Sequence, residues 1–206
     1  MKQISQNKRS GRMDIVSVPP PALRRGMVLV KNYSSVISAG TEKTTIDSRK
    51  ASMLQRARSQ PEEVQKVVEE VRRTGLTATY TRIMTKLDSS AALGYSTAGV
   101  VLAVDEWVSD IEIGDRVACA GADFAHHSDV IVVPRNLVAK IPDGVSMESA
   151  AYTTIAAIAL QGIRQADPTL GETVAVIGLG LLGQLTVQML KANGCTVVGI
   201  DIDPYV

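Results

Sequence analysis

Three glycines spaced as Gly178-x-Gly180-x-x-Gly183, inside Val174-Ala175-Val176-Ile177-Gly178-Leu179-Gly180-Leu181-Leu182-Gly183, are the residues of this sequence best suited to hold a ligand. The chemistry they suit is the cradling of a pyrophosphate by backbone. Gly178 allows a tight turn, Gly180 lets the main chain approach the anion, and Gly183 lets a helix pack closely on the preceding strand. At a helix N-terminus the free N–H groups and the positive end of the dipole favour negative charge without a basic side chain. The expected contact set is Gly178, Leu179, Gly180, Leu181, Leu182 and Gly183. Asp201 lies about 20 residues further on, where a carboxylate accepts hydrogen bonds from an adenosine ribose. Asp203 adds a second negative charge, and Ile202-Asp203-Pro204-Tyr205-Val206 offers no arginine to a 2′-phosphate, so NAD is expected over NADP. The same glycine spacing also occurs in ordinary turns, so the reading depends on its flanks.

Those flanks are the elements a nucleotide loop needs. Thr173 to Ile177 is a short β-branched run suited to a parallel strand, and Leu182, Leu185, Val187, Met189 and Leu190 carry an apolar helix that Asn193-Gly194 stops. Thr196-Val197-Val198-Gly199-Ile200 makes a second strand that delivers Asp201.

The first half of the chain reads differently. Met13 to Val18, Met27 to Tyr33, Val36-Ile37, Leu93 to Val104, Ile111 to Cys119, Val130 to Val133 and Leu137 to Ile141 are short apolar runs with strand composition. Gly114-Asp115 reads as a hairpin turn between two of them, and the spacing of the set suggests a small barrel. Met1 to Arg12 reads as a frayed end or a first edge strand. Residues 49–88 are charged and helical in pattern, with Val64, Val67, Val68 and Val71 on one face behind Pro61-Glu62-Glu63. Ser146 to Arg164 reads as a helix linking the two parts, which gives a domain at 1–145 and a second region at 146–206.

Charge and composition narrow the partners. With 22 Lys+Arg against 21 Asp+Glu there is no global field to draw nucleic acid or an anionic membrane. No apolar run approaches the roughly 20 residues of a membrane span. Cys119 and Cys195 are too few for a disulfide framework and the N-terminus is polar, so a cytoplasmic address is expected.

A strand-rich half with Gly94-Tyr95-Ser96-Thr97-Ala98-Gly99-Val100-Val101 and Gly114-Asp115-Arg116-Val117, joined by a helix to the glycine loop, resembles the medium-chain dehydrogenase/reductase superfamily. Ser38-Ala39-Gly40-Thr41-Glu42 and the helical insertion look like the alcohol-dehydrogenase-like half of bacterial two-module oxidoreductases. The resemblance implies an α/β chain with a GroES-like β-barrel catalytic domain, followed by the start of a doubly wound Rossmann sheet. It also implies hydride transfer between a nicotinamide and a small or sugar-like alcohol or carbonyl, and a second oxidoreductase module downstream as a partner. The chain stops at Val206, before the third strand of a first nucleotide-binding half. On this reading it is a fragment, inactive alone and prone to association, with a homo-oligomer left open.

Where zinc-dependent members place metal ligands, this chain has Ala39, Tyr95, Ser96 and Ala150-Ala151-Tyr152. A catalytic zinc needs about three Cys, His or carboxylate ligands. Cys119, His126 and His127 remain, with Cys119 read as core and both histidines as solvent-facing, so zinc is not expected. Without a metal an oriented donor must stabilise the developing charge on the substrate oxygen. Tyr95, in the position of a lost histidine ligand, is the first choice, and the resemblance puts Ser38, Thr41 and Glu42 in the same pocket with Glu42 as a base. The alternatives are that Tyr95 is a half-buried strand tyrosine, that Ser38 to Glu42 is a β-turn, and that the chain is a non-catalytic nucleotide-binding or regulatory module.

Overall fold

A computed structural model describes residues 1–7, 11–38, 40, 75 and 90–205 of the chain. The expected helical insertion at 49–88, apart from Gly75, and the positions Ala39, Thr41 and Glu42 lie outside the described residues.

Alternation of buried and exposed side chains builds the first half. A five-stranded antiparallel sheet has the order β7-β3-β5-β6-β8, from β3 (Met27–Ser35), β5 (Ser96–Val104), β6 (Arg116–Ala120), β7 (Val130–Pro134) and β8 (Val138–Lys140). Successive side chains point to opposite faces of a strand. On β6, Val117 and Cys119 therefore join Val28, Val30, Val101, Ile131, Val133 and Val138 in one core, while Ala118 faces a second one. Cys119 is core as expected, and burial pushes its thiol up to about 12.

β1 (Lys2–Asn7) lies between β2 (Met13–Ser17) and β4 (Ser90–Ala92) in a three-stranded sheet. It is thus a central strand rather than the frayed end or edge expected. The Met1 ammonium donates to the Val18 carbonyl at 2.8 Å, and the amide of Ile4 donates to His127 O at 2.9 Å. Both tie this end to distant chain, where a strand between two partners satisfies donors on both sides. The two sheets meet at such bonds and at one bridge, Gln3 with Ser128. Among the described residues the ladders do not close into a barrel. The expected hairpin at Gly114-Asp115 is also different: Ile111 to Ile113 is not strand, and the whole stretch Asp105 to Asp115 connects β5 to β6.

The linking helix is broken in two. α1 (Met147–Ala150) is capped by Ser146, whose hydroxyl accepts from Ser149 N at 3.1 Å, and α2 (Thr153–Ala166) restarts after Ala151-Tyr152. α2 ends on Asp167 in the left-handed region (φ 48°), a conformation that short polar residues tolerate and that Pro168 then prevents from continuing as helix. β9 (Thr173–Ile177), α3 (Leu181–Ala192) and β10 (Thr196–Ile200) follow as a βαβ unit, with β9 and β10 parallel and in the register Val174 to Val197. No helix among the described residues is long and apolar enough to cross a membrane.

Gly99 marks the closest approach in the large sheet. A Cβ there would lie 2.1 Å from the carbonyl oxygen of Lys31 and 2.8 Å from Val30 Cγ1, between two irregularities in the β3–β5 register. Backbone cannot swing aside as a side chain can. Gly99→Ala is therefore expected to lower stability by about 3 kcal/mol or more, at the upper end of what overpacking costs. Chemical denaturation of the two proteins measures it; an unchanged midpoint would show that the strands separate freely at this point.

Candidate functional site

The glycine loop leaves β9 at Gly178, where φ is +93°, a conformation that disfavours any side chain. Its amide donates to the carbonyl of Ile200 at 2.8 Å, pinning the start of the loop to the end of β10. Gly183 faces inward, because a Cβ there would sit 1.8 Å from Gly178 O. Gly180 is different. It is the N-cap of α3 and no side chain caps the helix there, yet a Cβ on it would meet no atom within 4 Å. No steric clash among the described residues demands glycine at 180; the space above it is open. Leu182 is exposed, whereas Leu181 and Leu185 turn inward, so the first turn of α3 presents its backbone on one side and packs on the other.

Asp201 closes the loop from the other strand. Its Oδ2 accepts from Leu179 N at 2.5 Å and its Oδ1 from Asp203 N at 2.9 Å. These N–H donors, Asp203 first, hold the carboxyl below the ordinary aspartate range, because hydrogen bonds to the ionised form favour it. All seven residues expected to touch a nucleotide thus fall within one strand–loop–helix–strand unit.

The second group gathers where the large sheet meets the linking helices. Val36, Ala98, Ala118, Ile141, Ala150, Ala151 and Ile155 form a buried cluster, and Tyr95, Leu181 and Leu185 pack against it, half-buried. Tyr95 and the first helical residue of the glycine loop therefore share one apolar cluster. Ser38 is buried two residues beyond Val36, whose amide donates to Ser96 O at 3.1 Å. Ser96 is buried as well, and its hydroxyl donates to Ala151 O at 2.5 Å. Two positions where zinc enzymes would place ligands thus meet in space. What joins them here is a hydroxyl-to-carbonyl bond.

His127 corrects the sequence expectation. It is 7% exposed rather than solvent-facing, with Nδ1 at 2.8 Å from Ser35 Oγ and its ring packed against Gly94, where a Cβ would lie 2.9 Å from the ring. His126 is half-buried too, and burial, followed by the charge of His127, lowers its pKa. No local sequence signal marks this burial, which follows from Gly94, at φ +101°, lying against the ring in the folded chain. No three His, Cys, Asp or Glu side chains cluster as a metal site among the described residues. Cys119 faces the opposite core, with its thiol held protonated, so it is poorly placed and poorly charged to bind a cation. The described donors do not fit a catalytic zinc.

The contrast between two glycines is testable without any ligand. Gly183→Ala should destabilise the chain by about 3 kcal/mol or more, as at Gly99, by forcing α3 off the loop. Gly180→Ala should cost less, about 1 kcal/mol or below, because no atom is in the way and only the N-cap preference for glycine over alanine is lost. Thermal unfolding of both variants checks the order, and equal effects would refute the inward and outward assignment.

No protein-family model matches the chain. Among curated proteins it is similar to D-guloside 3-dehydrogenase of Shigella flexneri, 32% identical over 112 residues that cover 54% of this chain and 31% of that protein. Galactitol-1-phosphate dehydrogenase from Escherichia coli shares its fold with a TM-score of 0.74 at 21% identity, over 99% of this chain and 56% of that one. Escherichia coli quinone oxidoreductase, solved in complex with NADPH, does so with a TM-score of 0.69 at 19% identity, over 97% of this chain and 52% of that one. The chain thus spans less than a third of the curated relative and about half of each structural one. A sheet-rich half leading through linking helices into a strand–glycine loop–helix–strand unit is the fold that the chain shares with these solved structures, and over about half of its length its sequence is similar to that of a medium-chain dehydrogenase.

Proposed function

We propose that the chain carries the substrate pocket and the phosphate-binding loop of a zinc-independent, NAD-linked oxidoreductase acting on a small or sugar-like alcohol or carbonyl. The observation that carries this reading is the cluster shared by Tyr95 and Leu181, which sets a phenol on the same packing unit as the open glycine loop. The nicotinamide, when bound, supplies or accepts the hydride. The chain's own residues bind and orient. Gly178, Leu179, Gly180, Leu181, Leu182 and Gly183 form the loop against which the phosphates lie, with the N–H donors supplied by the start of α3, and Asp201 offers carboxylate oxygens to the ribose. Tyr95 donates a hydrogen bond to the substrate oxygen as charge develops there, and Ser38 lines the pocket. Thr41 and Glu42 are proposed for the same pocket, with Glu42 as base, on the resemblance alone. Residues 1–145 would form the catalytic domain and 146–206 the linking helices with the first nucleotide-binding unit. A cytoplasmic setting, a small-molecule substrate and a second module in the intact protein complete the reading.

Zinc independence is supported by the donors themselves: Ser96 spends its hydroxyl on Ala151, and Cys119 lies across the sheet. The preference for NAD is supported by the charge of Asp201 and by Asp203 beside it. A 2′-phosphate, which the NADPH-bound quinone oxidoreductase accommodates, would here face two carboxylates.

Two measurements test the proposal. Fluorescence titration should show NADH bound about ten- to a hundredfold more tightly than NADPH, as like charges at a surface separation predict; Gly180→Ala, mild in its effect on folding, should weaken both. A preference for NADPH would remove Asp201 from the ribose. Oxidation of NADH by a panel of aldehydes and keto-sugars should survive chelation and fall roughly a hundredfold or more in kcat in Tyr95→Phe, the range of general acid catalysis. Binding without turnover in the intact protein would favour the non-catalytic module instead.

A further inference from the structure

We infer that Asp201 is a positioning residue that holds the glycine loop in its binding shape before any nucleotide arrives. The inference rests on the nucleotide-binding reading of that loop, but its geometry belongs to the protein alone. Oδ2 takes the amide of Leu179, the residue between the two glycines with the greatest freedom, and Oδ1 takes the amide of Asp203. Asp203 repeats the device, accepting from Tyr205 N at 3.0 Å, so two aspartate turns stand in series after β10. The bond from Gly178 N to Ile200 O lies beside the Leu179 bond and completes a two-point attachment of loop to strand end.

The attachment has a specific consequence. Gly178 and Gly180 leave their segment free to adopt many backbone shapes, and only some of them present N–H groups together to an anion. Tying Leu179 N–H to Asp201 selects among those shapes. It also turns that amide away from the anion, leaving the amides at the start of α3 as the phosphate donors. Each carboxylate oxygen still has a second acceptor site, so the same group remains open to ribose hydroxyls. Asp201 would thus couple the phosphate side of the site to the ribose side, because whatever engages the carboxylate bears on the loop.

A ribose ligand and a loop tether predict opposite results in two assays. Hydrogen–deuterium exchange of the nucleotide-free chain should show Leu179 and Asp203 amides exchanging about tenfold faster in Asp201→Ala, the scale of one lost hydrogen bond, with the core amides of β9 unchanged. Asp201→Asn, which keeps one acceptor oxygen, should accelerate one of the two amides and not both. Binding of inorganic pyrophosphate should weaken severalfold in Asp201→Ala, although removing a negative charge would by itself strengthen it. Unchanged exchange at Leu179 in both variants would overturn the inference, as would tighter pyrophosphate binding with unchanged exchange. Were the wild-type chain to bind neither NADH nor pyrophosphate while Leu179 exchange still rose in the variants, the tether would stand and the nucleotide reading would fall. If Asp201→Ala fails to fold, the single accelerated amide in Asp201→Asn decides alone.

Discussion

Close packing of small side chains between the large sheet and the linking helices is the constraint on which the rest depends. Ala98 and Ala118 on the sheet meet Ala150 and Ala151 on the helical side, with Val36, Ile141 and Ile155 filling around them. Alanines let backbone approach backbone, and at that distance the Ser96 hydroxyl reaches the carbonyl of Ala151. That carbonyl lies at the break between α1 and α2, where helical bonding is interrupted and an acceptor needs an outside donor. The break in the helix and the buried serine thus answer each other. A bulkier residue at any of the four alanines would separate the layers, and protein interiors at crystal-like density do not absorb such changes without strain.

The same seam sets the relation between the two chemical groups. Leu181 and Leu185 of α3 reach the cluster from one side and Tyr95 from the other. The orientation of the glycine loop toward the sheet-rich half is therefore a packing result, since no charge pair among the described residues bridges these parts. Charge acts elsewhere. Arg135 pairs with Asp110 and Lys140 with Asp115 at 2.8 Å, in both cases fastening connections on the exposed rim of the sheet, where ion pairs contribute little.

Two glycines in one motif meet quite different surroundings. Gly183 is required by the protein's own backbone, with the carbonyl of Gly178 in the way of any side chain. At Gly180 no atom of the described residues stands within 4 Å of where a side chain would begin. The crowded glycine at 183 thus reports on packing, while the open space at 180 leaves the backbone there accessible.

How much of this was legible in the sequence follows from the range of the forces involved. Strand, loop and helix around Gly178 to Gly183 were readable because each is dictated locally, by β-branching, by turn sterics and by a helical repeat. The strand character of β3 and β6 was readable for the same reason. Tertiary structure alone decided that β1 is central, since an edge strand and a middle strand differ only in what lies beside them. It decided that the helix after Ser146 breaks at Ala151-Tyr152, because the interruption is stabilised by a serine far away in sequence. It buried His127, which the composition of its own loop marked as polar and exposed, by bringing Ser35 and Gly94 against its ring. And it gave Asp201 a bond to Leu179, 22 residues back, which no local pattern encodes because the parallel register of β9 and β10 must form before the two can meet.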